Sequence, residues 1–315
     1  MVKAVILKNT GGSDQLNIEE VAKPEINARQ ILIKVKAFGI NPIEVKTRNG
    51  NKFSEKLLTD KPSILGWDVS GIVEEVGNEV KNFEVGDRVC GMLNFPDFGK
   101  TYAQYTVASP QDLAKFTEHT SFEEAAGLPL AGLTAYQALK HAGQLQPGQK
   151  VLIHAGGGGV GHLGIQFAKN LGAHVSVTAS GEKEELVRHL GADNYINYKE
   201  QKFEETLKDI DLVFDLVGGT YIDRSLKTLK KGGIIISIPS SANQEVVEKA
   251  NQAGCLGIRF VVKPTQLDLR DIVGMLDSKN LQIEVSKTFK MEEIRQAHDS
   301  LEKGGTQGKI VVQVD

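Results

Sequence analysis

The run Ala155-Gly156-Gly157-Gly158-Gly159-Val160-Gly161 constrains the fold more than any other stretch, because it joins the apolar segment Val151-Leu152-Ile153-His154 to residues with helical periodicity. Strand, tight turn and helix is the layout that follows. Gly156, Gly158 and Gly161 stand at G-x-G-x-x-G spacing, where glycine serves a tight turn, close backbone approach to a pyrophosphate, and close helix-to-strand packing. Gly159 and Val160 complete the same turn. Val160, Leu163, Gly164, Phe167, Ala168 and Leu171 recur as one helix face, and Gly172 follows as a stop. A flexible linker would not lie between two periodic apolar elements. The helix start offers N–H groups and a positive dipole end to an anion, so a dinucleotide ligand is expected.

The chain has 315 residues, enough for about two domains. With 37 basic and 40 acidic residues its net charge is −3, which implies neither a nucleic-acid face nor a polybasic membrane anchor. No apolar run approaches the roughly 20 residues that span a bilayer. The segment Met1 to Leu7 is broken at once by Lys8 and a polar turn, so it reads as a first strand and not as a signal peptide. A cytoplasmic protein is expected. Cys90 and Cys255 show no C-x-x-C spacing and read as inert buried thiols.

Before about residue 122 the texture is β-rich. Ile31, Ile33, Val35 and Ala37 alternate with Leu32, Lys34 and Lys36, and short apolar runs fall between Gly71, Gly77, Gly86 and Gly91, as in a small barrel. Ser121 and Glu124 form a capping-box signature for a helix running to Lys140, despite Pro129. Strands and helices then alternate. Strands are expected at 151–154, 174–178, 212–215, 234–238 and 258–262, with helices at 182–190, 222–229 and 244–253, the pattern of a doubly wound parallel sheet. The tail, with helices at 267–276 and 291–301 and a strand at 309–314, is assigned back to the first domain. The α/β division is therefore residues 1–122 with 264–315, and 123–263.

Further motifs extend the pattern: Gly39-Ile40-Asn41-Pro42-Ile43-Glu44, Gly66-Trp67-Asp68-Val69-Ser70-Gly71, Val85-Gly86-Asp87-Arg88-Val89, Ala125-Ala126-Gly127-Leu128-Pro129, Leu190-Gly191-Ala192-Asp193 and Gly308-Lys309-Ile310-Val311. With the glycine turn, nearly the whole chain resembles the medium-chain dehydrogenase/reductase superfamily. It is most similar there to the zinc-free quinone oxidoreductases related to zeta-crystallin, near the enone and alkenal reductases. The resemblance implies a GroES-like barrel, a Rossmann domain with an active site between the two, and a homodimer joined through the strand near 258–262. Zinc-dependent members place Cys and a His-Glu pair where this chain has Asn41 and Trp67-Asp68. None of the seven histidines falls in a ligand pattern, and a zinc site needs three or four converging ligands, so no metal is expected.

An NAD site carries an acid about 20 residues past the glycines. Here the strand ends in Ala179-Ser180-Gly181, which favours NADP(H). Ser180 and Lys183 match the phosphate-reading pair of similar reductases; Glu182 is the opposing feature, unless it only serves a helix dipole. Tyr198 and Thr134 match residues near the adenosine ribose and the nicotinamide. Val217, Ile238 and Pro239 follow strand ends where ligands bind. The resemblance implies hydride transfer to a quinone or to the β-carbon of an α,β-unsaturated carbonyl, with Lys46 touching cofactor and substrate. Asn41, Glu44, Trp67 and Tyr102 are the other catalytic or pocket-wall candidates; solvation for Lys46 and a helix start for Glu44 are their structural alternatives. A zinc-free alcohol or enoyl-thioester reductase, or a non-catalytic NADPH-binding sensor or structural protein, fits the same scaffold.

Overall fold

A computed structural model describes residues 1–239 and 243–315. Contacts divide the chain into two units, Met1–Leu133 with Lys263–Asp315, and Thr134–Val262. The tail thus returns to the first unit. The division falls later than the change of texture at residue 122, because the helix Phe122–Gly127 packs on strands of the first unit.

The strands begin with β1 (Val2–Leu7), β2 (Leu16–Val21), β3 (Ile31–Ile40), β4 (Asp68–Val76), β5 (Arg88–Met92), β6 (Tyr105–Ala108) and β7 (Leu113–Lys115). Next come β8 (Lys150–Ile153), β9 (His174–Ala179), β10 (Asn194–Asn197), β11 (Ile210–Asp215), β12 (Leu229–Ser237) and β13 (Leu256–Arg259). The tail adds β14 (Val285–Lys290) and β15 (Lys309–Gln313).

In the first unit β1 and β2 form an antiparallel ribbon, and the larger sheet runs β14-β15-β3-β4-β5-β7 with β6 also on β3. Strand β3 is the hub. Ile31 to Lys34 pair with β6, Ile31 to Ala37 with β4, and Ala37 to Ile40 with β15, so one long strand serves three neighbours. Its register shifts between Leu32 and Ile33 and again between Val35 and Ala37. Such bulges bend a strand and disturb strict alternation, and Leu32 is accordingly buried beside Ile31 and Ile33.

The second unit is a sheet of order β10-β9-β8-β11-β12-β13 with every pairing parallel. This is the doubly wound order, whose strand direction of travel reverses between β8 and β11. The sequence expectation of one long helix from Ser121 is corrected. The helix Phe122–Gly127 ends, a second runs Pro129–Tyr136, and a wider-wound turn covers Gln137–Ala142. Pro129 has no N–H to give and begins the second segment, a position that tolerates it. Strands β10 and β14 and the helix Ser54–Thr59 were not anticipated, while the helix Pro42–Asn49 takes up the helix-start alternative for Glu44.

Candidate functional site in two parts

In the second unit, the sheet gathers the expected cofactor residues at its carboxyl edge. The glycine turn follows β8, Ser180 follows β9, Tyr198 follows β10, Val217 follows β11, and Ile238 and Pro239 follow β12. Five adjacent strand ends therefore present them. Within the turn the glycines have separate reasons. A Cβ on Gly156 would lie 2.1 Å from Val177 Cγ1, and one on Gly161 would lie 2.3 Å from the Ala155 carbonyl oxygen, so both are required by packing. Gly158 differs. Its Cβ would meet only the Ala155 oxygen, at 3.2 Å, which leaves room over the backbone for a ligand. The helix Gly161–Asn170 starts beside this space; its His162 and Gly164 N–H groups bond the Gly158 and Val160 carbonyls at 3.1 and 3.0 Å, and its N-terminal end carries the positive end of the helix dipole. Turn and helix start together fit a pyrophosphate.

Lys183 lies along the turn. A Cβ on Gly157 would be 2.6 Å from Lys183 Cδ, which places the lysine stem against the glycines. Burial holds its ammonium below the ordinary lysine range, assisted by Lys199 and opposed by Glu182. Ser180 is buried, and its Oγ donates to Glu182 Oε1 at 3.0 Å. Tyr198 is exposed, with its N–H on the Ala179 carbonyl. Asp215, fully buried, accepts from the N–H groups of Val217 and Gly218 at 3.0 and 2.8 Å and from the Ser237 hydroxyl at 2.6 Å, so it shapes the loops after β11 and β12. Thr134 is buried in the helix Pro129–Tyr136.

In the first unit the expected catalytic residues separate into two groups. Asn41 caps the helix Pro42–Asn49 in a capping box with Glu44, whose Oε2 accepts the Asn41 N–H at 3.0 Å. The Asn41 amide donates to Asp68 Oδ2 at 2.9 Å and accepts from the Lys309 ammonium. Asp68 Oδ1 accepts the Leu130 N–H at 2.7 Å, and Lys309 Nζ lies 3.8 Å from Asp68 Oδ2. Asn41, Glu44, Asp68 and Lys309 are all buried. Burial, together with the neighbouring Asp68 carboxylate, pushes the Glu44 carboxyl up to about 8. Burial also raises Asp68 and lowers Lys309, each opposed by the other's charge. Two carboxylates and one ammonium approach neutrality when Glu44 keeps its proton.

Tyr102 is fully buried, stacked on Phe38, with its hydroxyl 3.2 Å from His298 Nε2. Trp67 is also buried; its indole N–H donates to the Asp97 carbonyl at 2.5 Å, and Phe95 and Phe98 flank its ring. Lys46 alone of the group is exposed. The sequence reading passed over Lys309 and His298. Lys309 was visible only as part of a family motif, and a lysine opening the apolar strand Lys309-Ile310-Val311-Val312 was its one local signal.

This arrangement does not fit a catalytic zinc. The amide at position 41 is engaged by Glu44, Asp68 and Lys309, and the ammonium already supplies Asp68 with a positive neighbour. Among the described residues no group of three or more His, Cys, Asp or Glu is placed to hold a metal ion. Nor is any helix of the described residues long and apolar enough to cross a membrane.

Sequence families match both units. An alcohol dehydrogenase GroES-like domain covers residues 27–118, and a zinc-binding dehydrogenase domain covers residues 190–312. The chain is 34% identical to the NADPH-dependent alkenal/one oxidoreductase of Arabidopsis thaliana chloroplasts, across 99% of this chain and 79% of that protein. Among solved structures, the quinone oxidoreductase from Coxiella burnetii superposes with a TM-score of 0.95 at 40% identity, over 100% of this chain and 99% of the other. The Escherichia coli quinone oxidoreductase complexed with NADPH gives a TM-score of 0.87 at 28% identity, over 99% and 100%. The chain belongs to the medium-chain dehydrogenase/reductase superfamily, in its zinc-free quinone oxidoreductase branch, with a GroES-like domain and a Rossmann domain.

Proposed function

We propose that the protein is an NADPH-dependent oxidoreductase that delivers hydride to a quinone or to the β-carbon of an α,β-unsaturated carbonyl without zinc. The observation that carries this is the row of strand ends in the second unit, where an open glycine turn, a helix start, Ser180 and Lys183 provide for a phosphorylated dinucleotide. The relatives named for alkenal/one and quinone substrates support the acceptor class.

When bound, the cofactor supplies the hydride. The chain's own work is binding and charge. Gly156, Gly158, Gly159, Val160 and Gly161 form the pyrophosphate turn, Ser180 and Lys183 meet the 2′-phosphate, and Tyr198 flanks the ribose. Thr134 lies by the nicotinamide, and Val217, Ile238 and Pro239 line the cofactor from the strand ends. Hydride addition leaves negative charge on the acceptor oxygen. The exposed Lys46 ammonium is the group we assign to that charge. Asn41 and Glu44 fix the start of the helix that carries Lys46, while Trp67 and Tyr102 act as buried walls.

NADPH oxidation across quinones, enones, aldehydes and enoyl thioesters, with product identification, tests the reading. Reduction of quinones or of enone carbon-carbon bonds is the expected result. Reduction confined to aldehydes or thioesters would move the protein to another branch, and no oxidation with any acceptor would make it a binding protein.

We also propose a homodimer paired through β13, an edge strand whose flank exposes Leu256 and Val261. A monomeric mass by light scattering at working concentration counts against it. The two buried free cysteines suit the reducing cytoplasm, the proposed location, which fractionation of cells would check.

A further inference from the structure

The loop after β9 contains a contact that phosphate reading alone does not need. Ser180 sits at the strand end where an acid reads the ribose of NAD, yet its hydroxyl donates to Glu182 Oε1 at 3.0 Å. The turn Gly181–Lys183 folds Glu182 back onto Ser180 while leaving Glu182 exposed. The loop therefore holds, two residues late, the carboxylate that the strand end lacks. Lys183 lies on the other side of this choice, packed along Gly157 and within electrostatic reach of both Glu182 and Lys199.

We propose that Glu182 sets cofactor preference: seated on Ser180 it accepts a hydrogen bond from a ribose 2′-hydroxyl, and it must leave that seat before a 2′-phosphate can take the Ser180 hydroxyl and the Lys183 ammonium. The inference rests on the dinucleotide reading above. A carboxylate at the seat repels a phosphate dianion and competes for its donor, so it restrains the preference for NADPH that Lys183 creates. The chain thereby accepts both cofactors, with Glu182 and Lys183 pulling in opposite directions.

Calorimetric titration of the intact protein with adenosine 2′,5′-bisphosphate and with 5′-AMP reads this loop without any turnover. Glu182→Gln removes the charge and keeps the size of an exposed side chain, so folding is not at stake. It should tighten adenosine 2′,5′-bisphosphate by about fivefold or more, from the removal of one like charge at close range, and leave 5′-AMP unchanged or weaker. Lys183→Ala should do the opposite to the bisphosphate. An unchanged ratio of the two affinities in Glu182→Gln, with the parent binding the bisphosphate, overturns the role of Glu182 and spares the dinucleotide reading. A parent that binds neither probe overturns both.

Discussion

The glycine turn and the Asn41 cluster use polar groups in opposite ways. In the cluster, Asn41, Glu44, Asp68 and Lys309 satisfy one another inside the first unit, and all four are buried. At the turn, Gly158 leaves open space and the helix Gly161–Asn170 begins beside it, its positive dipole end toward that space. One arrangement is closed on itself and the other leaves space over the backbone. The lesson is that polar residues at a family's catalytic positions do not by themselves make a reactive site; whether their hydrogen bonds are already used decides that.

The largest effect should come from Lys309. Removing one partner of a buried ion pair leaves the others uncompensated, and such losses cost about 3–5 kcal/mol. Lys309→Met should therefore lower unfolding free energy by about that amount in denaturant titration. A loss below about 1 kcal/mol, the worth of a surface pair, would mean that the cluster is not a closed network.

The same cluster should make stability depend on pH. Folded Glu44 keeps its proton up to about 8, whereas in the unfolded chain it ionises near the ordinary value of 4.5. Between those values the folded state binds more protons, so its stability falls as pH rises and levels off above about 8. Asp68, also raised, adds to the fall; Lys309, lowered, acts the other way nearer its own ordinary range. Glu44→Gln, compared with the parent by thermal unfolding across this window, should show the flatter profile. Equal slopes would remove Glu44 as the proton holder.

Two glycines sharpen the contrast inside the turn. Gly156→Ala forces a Cβ against Val177 and should cost about 1–3 kcal/mol of stability, the range for overpacking. Gly158→Ala should change stability little and instead weaken NADPH binding, measured by fluorescence. The reverse pattern would place the ligand elsewhere. Smaller still in its effect on folding is Lys46→Ala, which should leave the melting temperature and NADPH affinity near parental while turnover drops about tenfold or more, as for loss of a charge acting on a developing oxyanion. Unchanged turnover would return Lys46 to an ordinary solvated lysine.

Much of this was legible in the chain. The alternation of apolar strand and helix from Val151 onward carried the doubly wound sheet, since each element is long enough to show its period. Strand β14 was not legible, because Val285-Ser286-Lys287-Thr288-Phe289-Lys290 lies largely exposed and shows no clean apolar face. Leu32 was misplaced because a register shift in β3 has no signature in residue type. For the candidate site, spacing singled out the glycines and Ser180, which follow adjacent strand ends in the second unit. Lys309 lies 268 residues from Asn41 in sequence, and no local pattern announces a contact of that separation. Tyr102 was a catalytic candidate from the sequence, and its place between Phe38 and His298 is likewise a tertiary fact.

The central claim is hydride transfer from a nicotinamide to an activated acceptor without a metal. Its most direct measurement uses NADPH deuterated at the transferring position, an enone or quinone acceptor, and protein treated with a strong chelator, followed by mass and NMR identification of the product. The account predicts full activity after chelation, with deuterium retained on the β-carbon of the reduced enone, whereas a hydroquinone O–D exchanges with water and carries no label. Loss of activity restored by zinc, or deuterium on the carbonyl carbon, would contradict it.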